Sequence, residues 1–471
     1  MKKTALILLL FPAFLISCAS TGAQPSSPAG KVSAAAGKNE SKETAIAPAP
    51  AVFKDVSRMM KSAGYWISKI QDPDKVMLTK KEIDALNART IGSSSFINDI
   101  QFFPASYYRK SAAADFSAGI AAYSKYYDGS SDMPVGKNYL SDIDKNINYQ
   151  AFASTATVRF AMTVGYSELR ALPSMQPLYS SLNTLDLDRM QITQLDLASP
   201  LAILYSTKDG EWCYAVSEIA EGWIESRTIA FCKQDTIRDY KRWDKTVVTI
   251  SPNSDIFTNS AMTEFFDSVK MGTVLPAAGV EGNAVEIRIP VAKSDGTLGF
   301  KKAYVKMSDI SVGFLKYTQR NVLQQAFKHL DSPYGWGGMN GEQDCSSFIK
   351  QIFACFGIVL PRNSLAQSQS GVFAASFVKG EPDYSRAQKI IKNGIPAMTI
   401  VYFPGHIMLY VGNENGKPYI IHSIWGYSDD SSDQITTTYL INRVVITTMN
   451  VGDTSAKGSL LQRVTLMKNI K

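Results

Sequence analysis

The period of the apolar positions changes along this chain. From Phe53 to Ile70 the residues Phe53, Val56, Met59, Met60, Ala63, Trp66, Ile67 and Ile70 fall at helical spacing, and Asp72-Pro73-Asp74 ends the run. Thr79 with Glu82 reads as a capping box that opens a second helix through Arg89. Residues 91–150 are rich in Tyr, Ser and Asp without a clear period, so 53–150 is expected to be a mainly helical domain. Between 151 and 318 the pattern becomes strand-like: Thr155 to Phe160, Leu201 to Tyr205, Trp212 to Val216 and Gly222 to Glu225, then Thr246 to Ile250, Gly272 to Pro276, Val285 to Pro290 and Phe300 to Val305. Turns such as Lys208-Asp209-Gly210 and Ser294-Asp295-Gly296 separate them, which suggests two small β-barrels, 151–235 and 236–318.

After a helix predicted at Gln319–Leu330, the stretch Tyr334 to Gly357 reads YGWGGMNGEQDCSSFIKQIFACFG. A glycine-rich loop hands over to Asp344-Cys345-Ser346, and Phe348, Ile349, Ile352, Phe353 and Phe356 follow at helical spacing. Cys345 therefore belongs in the first turn of a core helix, where the helix dipole favours thiolate over thiol. Cys355, toward the far end, gains no such help. Further on, Ile400–Phe403 and Ile407–Val411 flank the Pro404-Gly405 turn, and Tyr419–Trp425 follows the Asn415-Gly416 turn. His406 is thus placed at the mouth of one strand and His422 on the next, while His329 is expected to be a surface or capping residue at the end of its helix.

Adjacent antiparallel strands can bring two imidazoles within hydrogen-bond reach. One would take the thiol proton and pass it to a leaving amine; the other would fix the first ring's tautomer. Two plainer readings stand beside this one: Cys345 as an inert core thiol with ordinary strand histidines, or Cys345, His406 and His422 as zinc ligands. The zinc reading lacks any Cys-x-x-Cys or His-x-x-x-His pair, and no metal or cofactor is expected.

Composition changes this picture only at the N-terminus. With 471 residues, 45% hydrophobic and 19% charged, the chain exceeds what one core serves, and three or four domains are expected. The net charge of +7 comes without a dense basic run, so nucleic acid is not an expected partner. Lys2-Lys3, the apolar run Ala5 to Ile16 and the sequence Leu15-Ile16-Ser17-Cys18 form an export signal over residues 1–18. Its end resembles a bacterial lipobox, which implies a lipidated Cys18; the alternative is an ordinary signal that happens to hold a cysteine. Ala19 follows rather than Asp, and by resemblance to Gram-negative lipoprotein sorting that implies the outer membrane. Residues 19–52, mostly Ala, Ser, Gly, Pro and Lys, are expected to be a flexible tether. Cys213 and Cys232 lie near the two ends of the first barrel, where an exported protein could join them.

YGWGG, DCSSF, LPRNS with Gln367, FPGHIMLYVG and IIHS together resemble the NlpC-type family of papain-like bacterial cell-wall endopeptidases, over about residues 319–450. Gly210-Glu211-Trp212 and Gly222-Trp223-Ile224 resemble bacterial SH3-like wall modules, although Trp212 and Trp223 also read as plain barrel core. The fold implied is α+β and multidomain: a helical N-terminal region, two SH3-like barrels, and a papain-like catalytic domain over 319–471. The activity implied is a thiol protease that hydrolyses the γ-D-glutamyl–diamino acid bond of peptidoglycan stem peptides or murein fragments. By this resemblance Cys345 is nucleophile, His406 base and His422 orienting residue. The Cys345 N–H and the Tyr334 hydroxyl are expected at the oxyanion, and Asp344, Ser346, Ser364, Tyr334 and Trp336 at the substrate. Asp344 would receive a substrate ammonium, or else merely cap the helix. The partners implied are peptidoglycan peptides and, through the anchor, a membrane, for a monomer facing the periplasm. The competing functions are a non-catalytic wall-binding lipoprotein and an acyltransferase using the same triad.

Overall fold

The computed structural model describes residues 43–49, 53–94, 97–109, 112–152, 155–432 and 434–471. The export signal, Cys18 and residues 19–42 of the expected tether lie outside the described residues. The tether's last part is not what its composition suggests: β1 (Glu43–Pro48) lies parallel to β22 (Ile435–Thr448) at one edge of the C-terminal sheet. Pairing of this kind uses backbone groups, so it needs no apolar period.

The expected helical domain is divided between two cores. The run Phe53–Ile70 breaks at Ser62, which is extended and accepts a hydrogen bond from the Tyr65 N–H, leaving only α1 (Ala63–Ile67). Its apolar spacing still serves burial, because Val56, Met60, Trp66 and Ile67 join the core of the C-terminal domain. α2 (Lys80–Ser93) starts at Thr79 with the capping box complete, and its Ile83 and Leu86 enter that same core. By contrast α3 (Ala112–Ala122) and α4 (Lys137–Asn146) bury Phe116, Ile120, Leu140 and Ile143 against the first barrel. Two short strands, β2 (Ser106–Tyr107) and β3 (Ala156–Thr157), pair beside them.

The first barrel comprises β4 (Arg159–Thr163), β5 (Ser167–Arg170), β6 (Gln191–Leu195), β7 (Pro200–Ser206), β8 (Trp212–Ser217), β9 (Glu221–Glu225) and β10 (Ile229–Cys232), hydrogen-bonded in the order β10-β4-β7-β8-β9-β5-β6. Trp212 and Trp223 are buried core residues. Cys213 and Cys232 are unbonded, with strands β7 and β4 between theirs. After α5 (Gln234–Lys241), the second sheet runs β13-β12-β16-β15-β14-β11-β17, from β11 (Thr246–Thr249), β12 (Asn253–Phe257), β13 (Phe265–Lys270), β14 (Val274–Glu281), β15 (Ala284–Ala292), β16 (Leu298–Lys306) and β17 (Ile310–Val312).

The C-terminal domain opens with α6 (Gln319–Lys328), α7 (Cys345–Ala354) and α8 (Ser364–Gln367). Then come β18 (Val372–Ser376), α9 (Asp383–Asn393), β19 (Thr399–Phe403), β20 (His406–Glu414), β21 (Lys417–Asp429), the already named β22, α10 (Leu460–Arg463) and β23 (Leu466–Asn469). The sheet order is β1-β22-β21-β20-β19-β23-β18. Alternation divides its faces. Ile400, Tyr402, Ile407, Leu409 and Ile421 pack with Phe348, Ile349 and Ile352 of α7. Val401, Phe403, Met408 and Ile420 pack with Leu460 and Leu461 of α10.

Candidate active site

α7 begins where the sequence places it. Asp344 is its N-cap, extended at ψ −179°, and accepts hydrogen bonds from the N–H groups of Ser346 (3.1 Å) and Ser347 (2.8 Å). Cys345 is the first helical residue and is 1% exposed. The helix lies across β20 and β21, and Cys345 shares its core cluster with Ile407, the residue next to His406.

The histidine pair follows from strand register. Leu409 faces Ile421 across β20 and β21, so His406 and His422 stand diagonally on one face of the sheet. Their rings meet: His406 Nε2 is 2.8 Å from His422 Nδ1, and His422 Nε2 is 3.2 Å from Thr447 Oγ1 on β22. His406 Nδ1 can accept a proton in the tautomer that carries its hydrogen on Nε2. Burial pushes His422 down to about 3, and burial together with the neighbouring His422 and Arg463 holds His406 well below the usual imidazole value. Both rings therefore rest neutral, the form a general base requires.

The other expected site residues divide sharply. The Asp344 carboxylate is fully engaged. Arg362 donates to it from both terminal nitrogens, at 3.0 and 2.6 Å, the Ser346 hydroxyl donates at 3.0 Å, and the Gly337 N–H at 3.2 Å. Burial alone would raise its pKa, but Arg362 and these donors outweigh that and hold it below the usual carboxylate range. The geometry makes Asp344 the cap of α7 and pairs its carboxylate with Arg362. Ser346 is likewise occupied, donating to Asp344 and accepting from Arg362 at 2.9 Å. Ser364 opens α8 and is buried, Tyr334 is half-buried at the start of the glycine-rich loop, and Trp336 is buried beneath the Arg189 guanidinium, 4.9 Å from its ring centroid.

Sequence reasoning missed Arg362. Beyond Asp344, its Nε donates to Thr193 Oγ1 on β6 at 2.7 Å, so one guanidinium ties the cap of α7 to the first barrel. An arginine next to the apolar run Ile358-Val359-Leu360-Pro361 is the signal that could have flagged a buried acidic partner. The loop itself is fitted to the same strand. Gly338 has φ +87°, and a Cβ there would lie 2.6 Å from that of Gln194. Gln191 Nε2 donates to the Gly337 carbonyl, and the Trp425 indole donates to Asp186. His329 is the C-cap of α6, one of the two expected roles, and not a surface residue: it is fully buried, edge-on to Phe348, and burial first, then Lys270 and Lys328, push it down to about 3.

Residues 331–448 match the model of the NlpC/P60 family, and residues 177–225 that of an SH3 domain of the SH3b1 type. The bifunctional muramidase/DL-endopeptidase CwlT of Bacillus subtilis (strain 168) is 34% identical over 123 residues, 23% of this chain and 32% of that protein. The probable endopeptidase p60 of Listeria seeligeri is 33% identical over 121 residues, 22% of this chain and 20% of the other. The γ-D-glutamyl-L-lysine dipeptidyl-peptidase of Bacillus subtilis (strain 168) is 33% identical over 87 residues, 17% of this chain and 29% of that one. The matched part spans about a third or less of these relatives. A solved NlpC/P60 endopeptidase from Photobacterium damselae subsp. piscicida superposes with a TM-score of 0.71 at 19% identity, covering 91% of this chain and 99% of that chain, so the multidomain fold is shared. The chain thus carries an SH3 domain of the SH3b1 type followed by a C-terminal domain of the NlpC/P60 family.

Proposed function

We propose that this chain is an exported cell-wall cysteine endopeptidase that hydrolyses the bond between γ-D-glutamate and the diamino acid of peptidoglycan stem peptides or their fragments. The observation that carries the reading is the 2.8 Å contact between His406 Nε2 and His422 Nδ1, on two strands crossed by the helix that Cys345 begins. Of the two tautomer arrangements these contacts allow, the base role assigned to His406 uses the following one. His422 carries its proton on Nε2 and donates to Thr447, His406 carries its proton on Nε2 and donates to His422, and His406 Nδ1 is free to take the Cys345 proton. The thiolate attacks the γ-carbonyl carbon, and the Cys345 N–H faces the developing oxyanion. The protonated His406 then gives its proton to the leaving amine as the C–N bond breaks, leaving a thioester. Water, deprotonated by His406, attacks that thioester, releases the γ-carboxylate and regenerates the thiol.

In this reading the lipidated Cys18 holds a monomer to the outer membrane, facing the periplasm. Incubating the protein with L-Ala-γ-D-Glu-diaminopimelate is expected to release L-Ala-D-Glu and free diaminopimelate by mass spectrometry. An intact peptide, or a cut at another bond, overturns the assignment, and capture of L-Ala-D-Glu by added amines instead of water would make the enzyme a transferase.

A further inference from the structure

Arg463, the last residue of α10, lays its guanidinium 4.1 Å from the ring centroid of Phe403. Phe403 is the register partner of His406 across the Pro404-Gly405 turn, and the two rings are 5.6 Å apart. The cation therefore stands at the base end of the site, on the sheet face that carries both histidines, and its field helps hold His406 neutral. Several other arginines here have carboxylate partners, among them Arg170 with Asp188, Arg362 with Asp344, and Arg320 with Asp74. Arg463 has none among the described residues. Burial depresses its pKa and no carboxylate opposes that. Lys457 lies within its field and adds to the positive charge, with Asp430 the acid that acts on Lys457.

A stacked guanidinium presents a planar fork of donors suited to a carboxylate. The site chemistry supplies one. His406 protonates the leaving amine, so the residue bearing that amine lies against His406, with its own carboxyl one carbon from the nitrogen. We propose that Arg463 anchors a free carboxylate of the leaving diamino acid, which makes it a specificity-determining residue on the departing side of the scissile bond. This rests on the hydrolase reading above, and the test keeps the two apart.

Binding of two peptides to the full chain carrying Cys345→Ala is measured by calorimetry: L-Ala-γ-D-Glu-diaminopimelate, and the same peptide with every carboxyl of the diaminopimelate amidated. The acid form is expected to bind about 10- to 100-fold more tightly than the amide. Adding Arg463→Gln erases that preference while the amide's affinity stays unchanged, and Arg463→Lys retains part of it. Equal affinities for acid and amide, or a preference that survives Arg463→Gln, overturns the proposal whether or not the wild type turns the peptide over. In the active protein, kcat/KM is expected to show the same acid preference and the same loss in Arg463→Gln.

Discussion

The two barrels grip opposite ends of one helix by different means. The first meets α7 at Cys345, through polar and charged groups: Arg362 bridges Asp344 and Thr193, Gln191 holds the glycine-rich loop, and Asp186 holds Trp425. The second meets its tail by close packing. Gly272, at φ +86°, sits so near that an added Cβ would lie 2.5 Å from the Ala354 Cβ, and the Phe314 ring covers Gly357. Two similar sheets thus divide the labour. One holds the Cys345 end of α7 and the other holds its tail.

The largest expected effect breaks the polar side. Arg362→Met strands the buried Asp344 carboxylate and severs the tie to Thr193, for an expected loss of about 3–5 kcal/mol in denaturant unfolding, with loss of hydrolysis in the fraction that remains folded. Gly272→Val tests the packed side and should cost about 1–3 kcal/mol while kcat per folded molecule is unchanged, because the clash lies at the far end of α7. If Gly272→Val instead impairs kcat as much as stability, the two barrels do not divide the labour as described.

Acid sharpens the comparison further. His329, beside Phe348 and in the field of Lys270 at the end of β13, and His422, in the site, are both held near 3. A free imidazole takes its proton near 6.5, so the unfolded chain binds protons that the folded chain refuses. Their contribution is intact above about pH 6.5. It falls by about 1.4 kcal/mol per pH unit for each group as the pH drops toward 3. His329→Leu is expected to flatten this slope by one group without costing activity at neutral pH, since neither ring nitrogen has a partner among the described residues. An unchanged slope means that His329 is not buried neutral.

What was legible in the sequence is what has a period or a fixed local signature. The α7 pattern, the Thr79–Glu82 box and the hairpin around Pro404-Gly405 all depend on neighbours in the chain, and the structure bears each out. What was not legible depends on partners far away. Arg362 acquires meaning only from Asp344 and Thr193, and β6, with Gln191, Thr193 and Gln194, carries polar side chains because its partner is a loop of another domain. Glu43–Pro48 pairs through backbone alone, which no side-chain pattern announces. The break at Ser62 shows the converse: helical spacing recorded which residues are buried, not the path of the backbone between them.

The most direct test of the account is the fate of L-Ala-γ-D-Glu-diaminopimelate with the Cys345→Ala chain. Release of L-Ala-D-Glu is expected to fall by more than about 10³-fold, with the unfolding transition of the protein preserved. A Cys345→Ala protein that still hydrolyses the peptide at the wild-type rate would contradict it.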